Sequence, residues 1–182
     1  TITGNADDPA IWVNEMESNL SIVFGTDKYN GIYSYNLKGE VIGFASAGRI
    51  NNLDIRTLND TNYFFGTNTG TNTIDLWIYK NSVLNDAAKA KKFALSDNAR
   101  YSKKTNFLAY GICAGITANN EIIAFVTEAK GPRIQLHRIR NPHTHHVHFN
   151  SQPSCQSVVV CDASMSYCIN RSVDPYCECC DR

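Results

Sequence analysis

One strand–turn–strand pattern occurs three times in this 182-residue chain. In each copy an apolar segment ends at a threonine, a polar turn containing a glycine follows, and a second segment alternates apolar and polar side chains. The threonines are Thr26, Thr67 and Thr127, and the glycines are Gly31, Gly70 and Gly131. The first two threonines are 41 residues apart, and a repeat of roughly 40–45 residues is typical of a propeller blade. The third threonine follows 60 residues later, which requires an insertion that residues 81–102 can supply.

Each hairpin has one further apolar segment on either side. The preceding segments are residues 10–13, 53–56 and 112–116, and the following ones are residues 41–45, 92–95 and 146–149. Their β-branched and aromatic content and the turns rich in Gly and Asn are typical of antiparallel strands. The sequence therefore predicts an all-β fold of three four-stranded antiparallel propeller blades over residues 1–150, with one short helix near residues 85–92.

Three blades are fewer than the four to eight with which a propeller typically closes. An open stack exposes sheet faces and strand edges, which favours association. We therefore expect self-association through the open blades, unless the natural chain continues. The chain begins at Thr1 without a methionine or a signal-like segment, which suggests a processed product or a fragment.

Composition excludes several classes of protein. The chain has 17 Lys and Arg against 17 Asp and Glu, whereas a general nucleic-acid binder would carry a basic excess. The hydrophobic content of 43% is too high for a disordered chain. No run of 18 apolar residues occurs, so we expect no membrane span.

Cysteines divide the chain, because Cys113 stands alone and six others crowd into residues 151–182. The six are Cys155, Cys161, Cys168, Cys177, Cys179 and Cys180. Such density predicts a small disulfide-rich unit and an oxidising compartment. Glycosylation sequons begin at Asn19, Asn59 and Asn170. Together these features predict a secreted, extracellular glycoprotein.

Several motifs carry a resemblance to a known family. Residues 5–14 read NADDPAIWVN and residues 48–56 read GRINNLDIR, with shorter matches at residues 26–28, 31–37, 72–75 and 110–111. These motifs resemble the β-propeller phytases, calcium-dependent phosphohydrolases with six blades. The resemblance covers residues 1–149, and three blades are half of six.

This resemblance implies hydrolysis of phytate or another phosphomonoester, with Ca²⁺ as cofactor. It makes Asp7 and Asp8 calcium ligands, Lys28 a partner of the substrate phosphate and Glu128 a catalytic-site carboxylate. Hard cations prefer oxygen ligands, and a bound metal stabilises charge that develops on a phosphoryl group.

The chain departs from the family pattern at two turns. Thr69 stands where the family has a phosphate-binding arginine, and either Glu128 or Lys130 occupies the position of the family's glutamate. Asp54 and Arg56 match the second motif, and either belong to the site or form an internal ion pair.

The tail resembles an EGF-like module in the spacing of its first five cysteines. The resemblance implies the pairs Cys155–Cys168 and Cys161–Cys177. It leaves Cys179 and Cys180 for partners elsewhere, including another chain, because adjacent cysteines pair only with strain.

Two further groups have competing interpretations. His143, His145, His146 and His148 suggest a metal site, although an exposed outer strand is the favoured interpretation. Cys113, within an apolar strand, is predicted to be a buried, unreactive thiol. Two functions remain: a phytase-like hydrolase or its degenerate relative, and a non-enzymatic structural or adhesive glycoprotein that assembles into a fibre or surface layer.

Overall fold

The computed structural model describes residues 4–140 and 148–151. They form three four-stranded antiparallel sheets, in each of which the strands pair in chain order. The first sheet contains β1 (Ala6–Trp12), β2 (Ile22–Asp27), β3 (Gly31–Tyr35) and β4 (Val41–Ala45). The second contains β5 (Ile50–Leu58), β6 (Thr61–Asn68), β7 (Thr73–Lys80) and β8 (Arg100–Lys104). The third contains β9 (Ala109–Ile116), β10 (Ile122–Glu128), β11 (Ile134–Arg140) and β12 (His148–Ser151).

The middle sheet is covered on both faces. Every residue of β6 is buried, because successive side chains of a strand point to opposite faces and a sheet packs against each. Phe64 and Trp77 belong to a core shared with the first sheet, while Tyr63 and Phe65 belong to a core shared with the third. The predicted all-β fold of three four-stranded blades is confirmed for the described residues.

The fourth strand of the second sheet differs from the prediction. It is β8, whereas residues 92–95 form no strand. Phe93 and Leu95 alternate with exposed residues because they cover the core beside Leu84. The Phe93 N–H donates to the Ile42 carbonyl at 3.0 Å. A Cβ atom at Gly43 would lie 1.7 Å from the Phe93 carbonyl oxygen, so glycine is required at this close approach.

The inserted segment supplies both the helix and this last strand. The helix α1 (Asn81–Ala90) begins four residues earlier than predicted. It buries Leu84 and Ala88, and ends at Lys91 in the left-handed conformation with φ of 50°.

Cys113 is exposed, so the prediction of a buried thiol is wrong for the single chain. It lies on the face of β9 opposite Ala114, which packs towards the second sheet. The sequence pattern identified the strand, but not that this face has no neighbour among the described residues.

In the part of the chain that the structure describes, no helix is long and apolar enough to cross a membrane. The EGF-like tail, its six cysteines, Asn170 and the side chains of the four histidines lie outside the described residues. The predicted division at residue 150 remains a prediction.

Candidate functional site

Most of the predicted site residues lie at one end of the sheets. At this end, here called the upper end, β1, β5 and β9 begin and β2, β6 and β10 end, because consecutive strands are antiparallel. It carries Asp7, Asp8, Lys28, Arg49, Thr69, Tyr110 and Glu128.

Lys28 pairs with a carboxylate of its own sheet at this end. Its Nζ lies 3.0 Å from Asp7 Oδ1, and both side chains keep solvent access. The pKa of Lys28 is raised, first by its hydrogen bond to Asp7 and further by the Tyr110 hydroxyl. The side chain is therefore a fixed ammonium that is accessible to an anion.

Asp8 has a structural contact of its own. Its Oδ2 accepts the Leu53 N–H at 3.0 Å, and its backbone N–H donates to Thr26 Oγ1 at 2.9 Å. Asp8 therefore joins the first sheet to the second, whether or not it also binds a metal.

Calcium takes six to eight oxygen ligands, several of them commonly carboxylates, and the described residues form no carboxylate cluster of that kind. No group of three or more His, Cys, Asp and Glu side chains within this part of the chain could hold a metal ion. One oxygen of Asp7 contacts Lys28, and one oxygen of Asp8 contacts a backbone N–H. The described residues alone thus do not fit a calcium site, and the role of Asp7 and Asp8 as ligands remains a prediction.

Glu128 is held by an arginine across its own turn. Arg133 Nε donates to Glu128 Oε2 at 2.9 Å, and Arg133 Nη2 contacts Oε1. The guanidinium lies 5.2 Å from the centre of the Phe107 ring. The pKa of Glu128 is lowered, chiefly by its hydrogen bond from Arg133. A paired carboxylate of low pKa is a poor general acid or base near neutral pH, and Lys130 beside it is exposed.

Gly131 makes this arrangement possible. A Cβ atom there would lie 2.0 Å from Glu128 Oε2. The carboxylate therefore occupies the space that a side chain at position 131 would need.

Asp54 and Arg56 form the internal ion pair that was one of the two interpretations, with 2.5 Å between Arg56 Nη1 and Asp54 Oδ1. Asp54 Oδ2 accepts the Ala114 N–H at 2.7 Å. The carboxylate therefore joins the second sheet to the third.

Arg49 and Tyr110 were not predicted as site residues, yet they lie at the same end of the sheets as the predicted ones. Arg49 is exposed, and its guanidinium lies 5.7 Å from the centre of the Tyr29 ring, next in sequence to Lys28. Thr69 Oγ1 donates to the Arg49 carbonyl at 3.2 Å, so a different arginine adjoins the turn where the family's arginine is missing. Arg49 could have been selected from the sequence, because it lies in the motif GRINNLDIR. The approach of Tyr110 to Lys28 could not, because the two residues are distant in sequence and only the fold brings them together.

The sequons at Asn19 and Asn59 lie at exposed positions. Asn59 and Asp60 both have positive φ, 48° and 61°, in the tight turn between β5 and β6. An exposed turn is open to modification, but glycosylation at either site remains a prediction.

Comparison with known protein families gives a match over the first hundred residues of the chain. The family model described as Phytase matches residues 1–100 of the chain. This chain belongs to the phytase family. Within the matched range of this phytase-family chain lie Asp7, Asp8, Lys28 and Arg49, whereas Tyr110 and Glu128 follow it.

Two individual proteins are similar over shorter or more distant alignments. The 3-phytase of Bacillus subtilis (strain 168) is 41% identical over 51 residues, which are 28% of this chain and 13% of that protein. A crystal structure of virginiamycin B lyase from Staphylococcus aureus aligns with a TM-score of 0.43 and 17% identity, covering 78% of this chain and 39% of the lyase. The matched part of the chain thus covers far less than two thirds of either protein.

Proposed function

We propose that this chain binds phosphate monoesters, phytate among them, at its upper end, as part of a secreted phytase-like phosphomonoester hydrolase. The observation that carries the proposal is the position of Lys28, which is held between Asp7 and Tyr110 with an accessible ammonium. Membership of the phytase family supports the class of substrate.

Lys28 acts in this proposal as the group that recognises phosphate. An ammonium donates up to three hydrogen bonds, so Lys28 can retain Asp7 while it contacts a phosphate oxygen. Asp7 favours the charged form, because opposite charges in contact stabilise each other. Arg49 adds a second exposed cation at the same end, suited to a substrate of several phosphates.

Calcium dependence belongs to the same proposal. Asp7 and Asp8 are the oxygen ligands that the described residues offer, and the remaining ligands must come from elsewhere. No catalytic step is assigned to the metal. Glu128 is a weaker candidate for catalysis than its sequence position suggested, because Arg133 pairs with it.

The test measures phosphate release from phytate and, separately, phytate binding by titration calorimetry, each with added Ca²⁺ and with chelator. Asp7→Asn is the informative carboxylate variant, since Asp8→Ala would also remove the bond to Leu53. We expect binding that weakens in Asp7→Asn and Lys28→Gln. Binding unchanged by both substitutions would contradict the assignment of this end.

The second candidate is a non-enzymatic extracellular subunit derived from the same family. The Glu128–Arg133 pair and the exposed apolar residues on the outer sheets favour it. It predicts assembly of the chain without phosphate release from phytate at any calcium concentration. Release that Lys28→Gln abolishes would exclude it.

A further inference from the structure

The three sheets repeat one hydrogen bond at their upper ends. In each sheet the threonine hydroxyl near the end of the second strand accepts a backbone N–H from the first strand. Thr26 accepts from Asp8 at 2.9 Å, Thr67 from Asn52 at 3.2 Å, and Thr127 from Gly111 at 3.1 Å. Asp8, Asn52 and Gly111 are therefore equivalent positions.

The same hydroxyl also connects one sheet to the next. Thr26 Oγ1 donates to the Asn51 carbonyl on β5 at 3.0 Å, and Thr67 Oγ1 donates to the Tyr110 carbonyl on β9. Asn51 and Tyr110 each precede the equivalent N–H donor by one residue. Thr127 is exposed, and no further sheet follows it among the described residues.

A row of apolar side chains accompanies each threonine. Two residues before it stands a phenylalanine: Phe24 and Phe65 are 0% exposed, whereas Phe125 is 41% exposed. On the neighbouring strand of the second sheet, Ile74 and Leu76 are buried under the third sheet. The register pairs Ile74 with Thr67 and Leu76 with Phe65.

The third sheet repeats this row on its outer face. Ile134 pairs with Thr127 and Leu136 pairs with Phe125, and both are only half-buried. At these four positions its outer face thus repeats the residues that the second sheet presents to the third. Burial of apolar area contributes about 25 cal/mol per Å², so packing another sheet against this face would be energetically favourable.

The kind of face that packs against such a row is also exposed on the first sheet, at the other end of the stack. Leu53 and Ile55 of β5 pack against the first sheet. The pairing register makes Pro9 and Ile11 of β1 their equivalents, since Gly25 and Val23 stand where Gly66 and Phe64 stand in the second sheet. Ile55 is 9% exposed, whereas Ile11 is 56% exposed.

We propose that the outer face of the third sheet binds the first sheet of a second copy of this chain, and that two copies close a ring of six blades. Thr127 Oγ1 would donate to the Asp7 carbonyl of the other copy, the position equivalent to Asn51 and Tyr110. The chain itself carries both complementary faces, which is the argument for a second copy. Head-to-tail contacts form a closed ring when their rotation returns to the start, and six blades fall within the range that propellers use.

The test is the mass of the full chain in solution, measured by light scattering and by sedimentation equilibrium, with reductant added so that the tail cysteines form no disulfide links between chains. We expect about twice the 20.3 kDa of one chain. Phe125→Asp and Ile11→Asp should each give monomers, while Leu37→Asp, a control in an exposed turn, should leave the dimer intact.

Mixing the two monomeric variants distinguishes this head-to-tail contact from any other. Phe125 of the Ile11→Asp chain can still meet Ile11 of the Phe125→Asp chain, so the mixture should contain a 1:1 dimer with one intact interface. Alkylation of Cys113, mapped by peptide mass spectrometry, should be slower in the wild type than in Phe125→Asp, because the second copy covers that face.

A wild-type chain that stays monomeric at all concentrations would overturn the proposal. So would open polymers in place of a dimer, or an Ile11→Asp variant that still dimerises. None of these readouts involves phosphate release, so the proposal stands or fails separately from the proposed enzyme function.

Discussion

The hydroxyl of Thr67 on the second sheet donates a hydrogen bond to the carbonyl of Tyr110 on the third. The same oxygen accepts the Asn52 N–H at 3.2 Å, and Thr67 is completely buried. One side chain therefore joins two strands of its own sheet and the first strand of the next.

Thr67→Val should destabilise the fold by about 1–3 kcal/mol, because it removes both hydrogen bonds of a buried hydroxyl, the one from the Asn52 N–H and the one to the Tyr110 carbonyl. Thr127→Val is the matched control, since the equivalent hydroxyl is exposed and should cost less than about 0.5 kcal/mol. Urea unfolding of both, in a Phe125→Asp background that keeps the chain monomeric, measures the difference. Equal losses would contradict the role of Thr67 as a link between sheets.

Lys28→Gln should weaken the binding of phytate by roughly tenfold, because a charge-assisted hydrogen bond to phosphate is lost. Lys38→Gln removes the same charge from an exposed turn and should leave the affinity within twofold of the wild type. Titration calorimetry at constant ionic strength makes the comparison. If the two variants weaken binding alike, the effect is one of net charge and Lys28 has no specific contact.

Gly131→Ala should lower the melting temperature, because the new methyl group would displace the Glu128 carboxylate from Arg133. In a Glu128→Ala background the same substitution should have little effect, since the obstructing carboxylate is gone. The four chains form a double-mutant cycle by calorimetric melting. Additive losses would show that the glycine serves some other purpose.

His137 should make the fold sensitive to mild acid. Burial, aided by the charge of Lys103, lowers the pKa of this histidine to about 4, against 6.5 for an ordinary one. The unfolded chain therefore takes up a proton between about pH 6.5 and about pH 4 that the folded chain does not, and stability falls across that window by up to about 3 kcal/mol.

Urea unfolding at a series of pH values tests this expectation, with His137→Leu as the comparison. The free energy of unfolding should fall less steeply between pH 6.5 and pH 4 in the variant than in the wild type. Glu128 contributes below its ordinary pKa, because a carboxylate whose folded pKa is lowered loses stabilisation as the pH falls through the folded value. A wild-type slope confined to that lower range would contradict the assignment to His137.

The strands were predictable because their signals are local. Alternation along β10 and a glycine in the following turn define a hairpin without reference to anything distant. The same argument wrongly predicted a strand at residues 92–95, since alternation of buried and exposed side chains also arises in a loop that covers a core. Phe93 and Leu95 are buried by contact with the first core, which no local pattern distinguishes from burial within a sheet.

The sequence by itself determined three sheets and their order, because strand alternation and antiparallel connection follow from the chain's own periodicity. Only the tertiary structure decided which polar groups meet: Lys28 with Asp7 and the Tyr110 hydroxyl, and Glu128 with Arg133. It also decided that Phe24 is buried while Phe125 is exposed. The two residues stand in the same local pattern, and their burial depends on whether another sheet packs against them, which is a property of distant parts of the chain or of a second molecule.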